Sequence, residues 1–304
     1  MRHPRTLDDF RGLFSESTDP RQWPHVARAI SYLRAICDLA ELLECEPEEE
    51  AVYERRLQLE PDEYAASLLQ ATGTAALLID DGFPPPGEGF GWQRMGELAG
   101  CRAKPVMRLE SRTRAAVNVA SARESGFVGL KTIAAYRGGL QLDESHPVWP
   151  ALEANEATGH PLPVQVHCGF GDADLSLPLA DPGLLKPAVE HFRETPFVLL
   201  HCYPFVREAG WLAHVYGNVY FDLSLTIPHV ARPAEALREA LELAPWSKLL
   251  YASDAARAPE LYFLASKRWR ETLAEVLPEL LAPVHAEQAA RAILRENALR
   301  LYEL

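Results

Sequence analysis

An α/β fold of (β/α)8-barrel type, incomplete at seven readable strands and preceded by N-terminal helices, follows from three features of the sequence. Short apolar runs alternate with helical stretches from residue 73 onward. The runs are apolar on both faces, as strands of a parallel sheet covered by helices must be. No linker or low-complexity stretch interrupts the series, and a chain of 304 residues has the usual length for such a barrel. Residues 1–304 are therefore expected to form one domain, with a helical segment over 1–72 and the barrel over 73–304.

Residues 20–72 read as helices. In DPRQWPHVARAISYLRAICDLAELLEC the apolar residues Ile30, Leu33, Ile36, Cys37, Ala40 and Leu43 recur near the helical period, and Asp19 before Pro20 is a start signal. EPEEEAVYERRLQL is a second helix and PDEYAASLLQATG a third, ended by Gly73. The pattern then changes to strands: TAALLIDD, KPVMRLE, GFVGLKTIAA, LPVQVHCG, FVLLHCYP, NVYFDLSL and KLLYASDA. Between them SRTRAAVNVASARES, PVWPALEANEATG, GLLKPAVEHFRET, REAGWLAHVYG and AEALREALELAP read as helical, and HAEQAARAILRENALRLYEL as a closing helix. A closed barrel needs eight strands. The deficit lies at the N-terminus, where nothing before residue 73 reads as a buried strand.

Composition narrows the function classes. A formal charge of −13 with no basic block argues against nucleic acid or an anionic membrane as partner. No apolar run is long enough to span a bilayer, and the start MRHPRTLDDFRGLF has no apolar signal region. Five cysteines, odd in number and without C-x-x-C spacing, fit a reducing cytoplasm. Cys168 and Cys202 each follow a strand histidine. Alternation along a strand turns them to the opposite layer, so they are expected to be buried, inert thiols. A small-molecule substrate is the expected partner, with homo-oligomerisation left open.

In a parallel barrel the loops after the strands' C-terminal ends build the active face. Asp80, Asp81, Glu110, Lys131, His167, His201, Asp222 and Asp254 all sit where strands end. His167 and His201, on neighbouring strands, point into one mouth, and neutral imidazole is the commonest metal ligand. Asp254 is read as a third ligand or as the base acting on water at a metal. Zinc would bring that water's pKa towards ~7. Lys131 lies inside an apolar strand, which requires a partner or a change of charge. A salt bridge to Asp80, Glu110 or Asp254, a substrate clamp, and a carbamylated, metal-ligating lysine are its alternatives. Tyr136, Arg137 and Asp172 are candidate substrate contacts on the loops that follow. The other histidines read as surface or packing residues, with His25 flagged because the N-terminal helices could cover the mouth. Ser224 and Ser253 lack a nucleophile elbow.

The stretch running from GFVGLKTIAAYRGGL through VQVHCGFGDAD and LLHCYPFVREAGWLAHVYGNVYFDLSL to LLYASDA resembles the amidohydrolase superfamily. Within it the resemblance is to the amidohydrolase-related TIM-barrel metal-dependent hydrolases, and it covers roughly residues 10–304. It implies a distorted barrel binding one or two divalent metals at its C-terminal face. The family's ligands are an H-x-H on strand one, a lysine or glutamate on strand four, histidines on strands five and six, and an aspartate on strand eight. By motif these positions are Lys131, His167, His201 and Asp254. The H-x-H has no counterpart in the chain. Either the true start lies upstream, or strand one and half the metal shell are lacking. The function expected is a zinc-type hydrolase of an amide, ester or lactone. A decarboxylase on the same shell and a non-catalytic barrel are the alternatives.

Overall fold

The computed structural model describes residues 4–80, 82, 90–110 and 119–304. Its sheet is parallel throughout and follows chain order: β1 (Ala76–Asp80), β2 (Arg102–Arg108), β3 (Gly129–Thr132), β4 (Val164–Cys168), β5 (Phe197–His201), β6 (Val219–Asp222) and β7 (Leu249–Leu250). Each strand overlaps one of the seven expected runs, with β2 starting two residues before KPVMRLE. The sheet curls into a half-barrel with helices outside it. Asp81 and much of the expected helix SRTRAAVNVASARES lie outside the described residues. The described end of that stretch holds only a short 3-10 turn, Val119–Ser121.

Strand alternation sorts the side chains into two layers. Val164, Val166 and Cys168 of β4, Phe197 and Leu199 of β5, and Val219 and Phe221 of β6 enter the main core beneath the helices. On the inner face Val198, Leu200 and Leu250 pack with Tyr302, whose hydroxyl accepts from the Gln165 amide at 3.0 Å. The closing segment thus fills the inside of the half-barrel. It also covers the edge beyond β7. There the Tyr251 N–H donates to the Ile293 carbonyl at 2.9 Å, and the Asn297 amide reaches the Leu249 carbonyl at 2.8 Å. A strand edge left bare would be an aggregation template.

Helices Leu7–Gly12, Ile30–Leu43, Glu49–Leu57 and Pro61–Ala71 gather a second core around Phe10, Tyr32, Leu39, Val52 and Leu68. It joins the rest of the fold through Leu264 on the long helix Pro259–Leu280 and through a buried ion pair between Arg56 and Glu260. That helix, like Trp92–Ala99, was not expected from the sequence. Two further expectations are corrected. Asp19 accepts from the Arg21 N–H in a local turn, whereas the helix Ile30–Leu43 begins after Ala29 with no side-chain cap. Its buried stripe is Tyr32, Ala35, Ile36, Leu39, Ala40 and Leu43, with Ile30 and Leu33 on the exposed face. Apolar residues lie on two sides of this helix, so periodicity alone does not choose between them. No helix among the described residues is long and apolar enough to cross a membrane.

One glycine is required by the fold around the site. Gly169, immediately after β4, has φ +72°, and a Cβ there would meet the Tyr203 carbonyl oxygen and stand 2.8 Å from the Cys202 carbonyl carbon. A left-handed alanine and a backbone clash together predict that Gly169→Ala costs about 2–5 kcal/mol. Chemical denaturation would register this as a lower midpoint at unchanged slope.

Candidate active site at the strand ends

His167, the penultimate residue of β4, lies on the inner face in register with Leu200 of β5. His201 is in register with Cys168 instead, so simple alternation would send it to the helix layer with Phe197 and Leu199. The two histidines are therefore one residue out of register, and alternation alone does not turn both into one mouth. Backbone conformation brings them together. His201 and Cys202 adopt φ +68° and +67°, left-handed values rare for residues with a side chain. The ring swings inward until His201 Nε2 lies 3.1 Å from His167 Nδ1. Cys168 and Cys202 are fully buried in the main core, and burial pushes both thiols far up.

Such strain persists only where neighbours hold it. The His201 N–H donates to Asp222 Oδ1 at 2.8 Å, and Thr226 Oγ1 donates to the His201 carbonyl at 2.5 Å. Asp222 Oδ1 also accepts from the Ser224 N–H at 2.9 Å and from its hydroxyl at 2.7 Å. The Ser224 hydroxyl proton is then spent, so Ser224 Oγ accepts from His201 Nδ1 at 2.6 Å. That assignment leaves Nε2 of His201 with a free lone pair facing His167. Burial and the nearby Lys131 charge hold His201 well below the usual imidazole range. His167 is lowered in the same way, by burial and then by His201 and Lys131. Both rings are neutral donors at pH 7.

Further charged groups lie around the pair. Asp254, itself left-handed at φ +47°, places Oδ2 3.8 Å from His201 Nε2. Lys131 is buried, with Nζ 3.9 Å from Asp80 Oδ2. Arg108 grips that same carboxylate at 3.0 and 2.5 Å. Glu110 turns away from the mouth, accepting from the Thr132 hydroxyl and from the Ile133 N–H at 2.9 Å.

Tyr136 and the loop after β4 wall the site. The Tyr136 ring lies 4.7 Å from that of His167, and its hydroxyl accepts from the Asp172 N–H at 3.4 Å. A side chain at Gly171 would run into that hydroxyl and stand 3.0 Å from His167 Nε2. Arg137 is exposed and donates to the Tyr136 carbonyl at 3.1 Å, away from the cluster. His25, flagged because the N-terminal helices could cover the mouth, is exposed on the short helix Trp23–Val26.

Other residues at the site were not singled out from sequence. Arg257 donates to the Ser15 carbonyl at 2.7 Å and reaches Glu16 at 3.4 Å, drawing the N-terminal segment toward Asp254. Burial raises Glu16; Arg257 opposes this, while Asp254 and Asp172 add to it. His229 is largely buried, with its ring 6.0 Å from Phe170, and its charge would disfavour protonation of His201. Arg108, Glu16 and His229 lie in segments with no motif. Ser224 entered the sequence reading only as a serine without a nucleophile elbow; its hydroxyl is committed to Asp222 and its oxygen to His201.

The donor set can be tested against a divalent cation. Two nitrogens each ~2.05 Å from a tetrahedral ion stand roughly 3.3 Å apart, and two ligands of one ion cannot exceed about 4.1 Å. The observed 3.1 and 3.8 Å spans fall within that limit. His167 Nε2 is buried without a hydrogen-bond partner among the described residues, and Nδ1 is the nitrogen engaged at the pair. No set of three or more His, Cys, Asp or Glu side chains is already gathered to metal geometry among the described residues. Two imidazoles are therefore preset, and the third donor is looser. The Ser224 contact is expected to hold ring and tautomer for this purpose. Ser224→Ala should weaken divalent-metal affinity about 10–100-fold with the fold intact, measured by competition with a chelator.

Comparison with known proteins places the chain. Protein fluG of Emericella nidulans is 41% identical over 161 residues, half of this chain but 19% of its own length, so the match spans about a fifth of that protein. A Lactobacillus casei protein provisionally designated a metal-dependent hydrolase superposes with TM-score 0.86 at 26% identity, covering 99% of this chain and 91% of its own. Uronate isomerase of Thermotoga maritima shares the fold at TM-score 0.63 and 13% identity, over 97% of this chain and 82% of its own. The amidohydrolase family model matches residues 103–304, which include all of β3 to β7 and the paired histidines. On that match the chain belongs to the amidohydrolase family.

Proposed function

We propose that the protein is a metal-dependent hydrolase that directs water onto an amide, ester or lactone carbonyl. The observation that carries this reading is the convergence of His167 Nδ1 and His201 Nε2, with Asp254 beside them, at the C-terminal ends of the sheet. The residues that would hold the ion are His167, His201 and Asp254, and the donor chemistry suits zinc. When bound, such an ion supplies Lewis acidity and a water of lowered pKa.

The protein's own groups do the rest. Asp254 is about one-third exposed at the mouth, where its carboxylate takes the proton of the attacking water and returns it to the leaving group. The Asp222–Ser224–His201 chain fixes ring and tautomer, so no reorganisation is needed during the reaction. Burial keeps the Tyr136 phenol protonated, and its hydroxyl hydrogen is available to the substrate beside His167. Asp172 and Gly171 form the wall that limits what can lie against it. The test is turnover of amide, ester and lactone panels in isotope-labelled water. Label in the newly formed carboxylate supports hydrolysis. Released carbon dioxide with no label incorporated would assign a lyase instead.

A further inference from the structure

We infer that Lys131 remains an unmodified cation and, with Arg108 beside it, binds a carboxylate carried by the substrate. Lys131 is 7% exposed, yet among the described residues its Nζ has no hydrogen bond and one ionic neighbour, Asp80 Oδ2 at 3.9 Å. That carboxylate is already occupied. It accepts from Arg108 Nε and Nη2 at 3.0 and 2.5 Å and from the Gly82 N–H at 2.9 Å. Glu110 faces the Thr132 side of β3, so it does not serve Lys131. Arg108 and Lys131 both face Asp80, and among the described residues the buried Lys131 ammonium lacks a hydrogen-bond acceptor. A buried charge in that state calls for a partner.

The geometry also says what kind of partner. Strand register sets Arg108 opposite Lys131, and Lys131 opposite Gln165, on the inner face that carries His167. A group entering from the mouth therefore meets the Lys131 ammonium next to the paired imidazoles. An acceptor-only group with two oxygens and one negative charge matches the missing hydrogen bonds and the positive charge of Lys131. A carbamate on Lys131 would instead bring a second anion to the Asp80 carboxylate, which the 3.9 Å separation disfavours. The substrate class is then a carbonyl compound bearing a free carboxylate near the bond cleaved.

This deepens the hydrolase reading but is tested by binding alone. N-acetylglycine and its uncharged counterpart N-acetylglycinamide are titrated calorimetrically into the wild-type protein, Lys131→Met and Lys131→Arg. Metal content is measured for each. The expected result is a preference for the acid of about tenfold or more in the wild type, retained in Lys131→Arg and abolished in Lys131→Met. Equal binding of acid and amide by the wild type, no binding of the acid, or a preference surviving in Lys131→Met would overturn it. So would a carbamate resonance on Lys131 after incubation with isotope-labelled bicarbonate. Failure of the hydrolase reading would appear separately, as absent metal or absent turnover.

Discussion

His167→Ala and His201→Ala each strip the protein of bound divalent metal. Each imidazole offers one nitrogen to the same point, 3.1 Å apart, and burial keeps both neutral and therefore ligating. Removing one leaves a single preset donor. Loss of a partner that merely orients a ligand weakens metal binding about 10–100-fold, and loss of the ligand itself should exceed that. Metal analysis after dialysis should find the variants below about a tenth of the wild-type content. A wild-type protein at a metal concentration 100 times Kd gains ~2.7 kcal/mol of stability, and that gain should vanish in both variants. His25→Ala, at an exposed helix position, is the control and should retain metal and thermal shift alike.

Asp254→Asn has the second large effect, on rate. The amide keeps the shape of the carboxylate but cannot accept the proton of water. The predicted outcome is a fall in kcat of about 10²–10⁴ with KM little changed, the span ascribed to a positioned general base. The two imidazoles and the amide oxygen still hold metal, more weakly than the wild type but far better than His167→Ala, which separates the two defects. A variant that keeps its kcat would remove Asp254 from the proton pathway. The left-handed backbone at Asp254 gives a second reading of its importance. Asparagine tolerates that conformation better than most residues, so the substitution isolates charge from backbone geometry.

The seven strands were legible because a buried parallel strand must be apolar on both faces, and each such run ended at a polar residue. The long helix Pro259–Leu280 was not. Its buried residues, among them Leu264, Trp269, Leu273 and Val276, are spread between charged residues of its exposed face, and no strand-like run brackets it on the C-terminal side. At the site, side-chain type was readable and backbone conformation was not. His201 belongs by alternation to the helix layer, and only its left-handed turn, held by Asp222 and Thr226, delivers it to His167. Lys131 was recognisable as a buried cation, but the sharing of Asp80 with Arg108 depends on the register of β2 and β3. The N-terminal Glu16 reaches the mouth through Arg257, a pairing across most of the chain that no local pattern records.

X-ray absorption spectroscopy of the zinc-loaded protein tests the central claim most directly. The account predicts a first shell of nitrogen and oxygen at about 2.0–2.1 Å, with the outer-shell scattering of two imidazole rings. That ring signal should halve in Ser224-intact His167→Ala wherever residual metal can be loaded. A shell of light atoms with no imidazole scattering, or a wild-type chain that takes up no divalent ion, would contradict it.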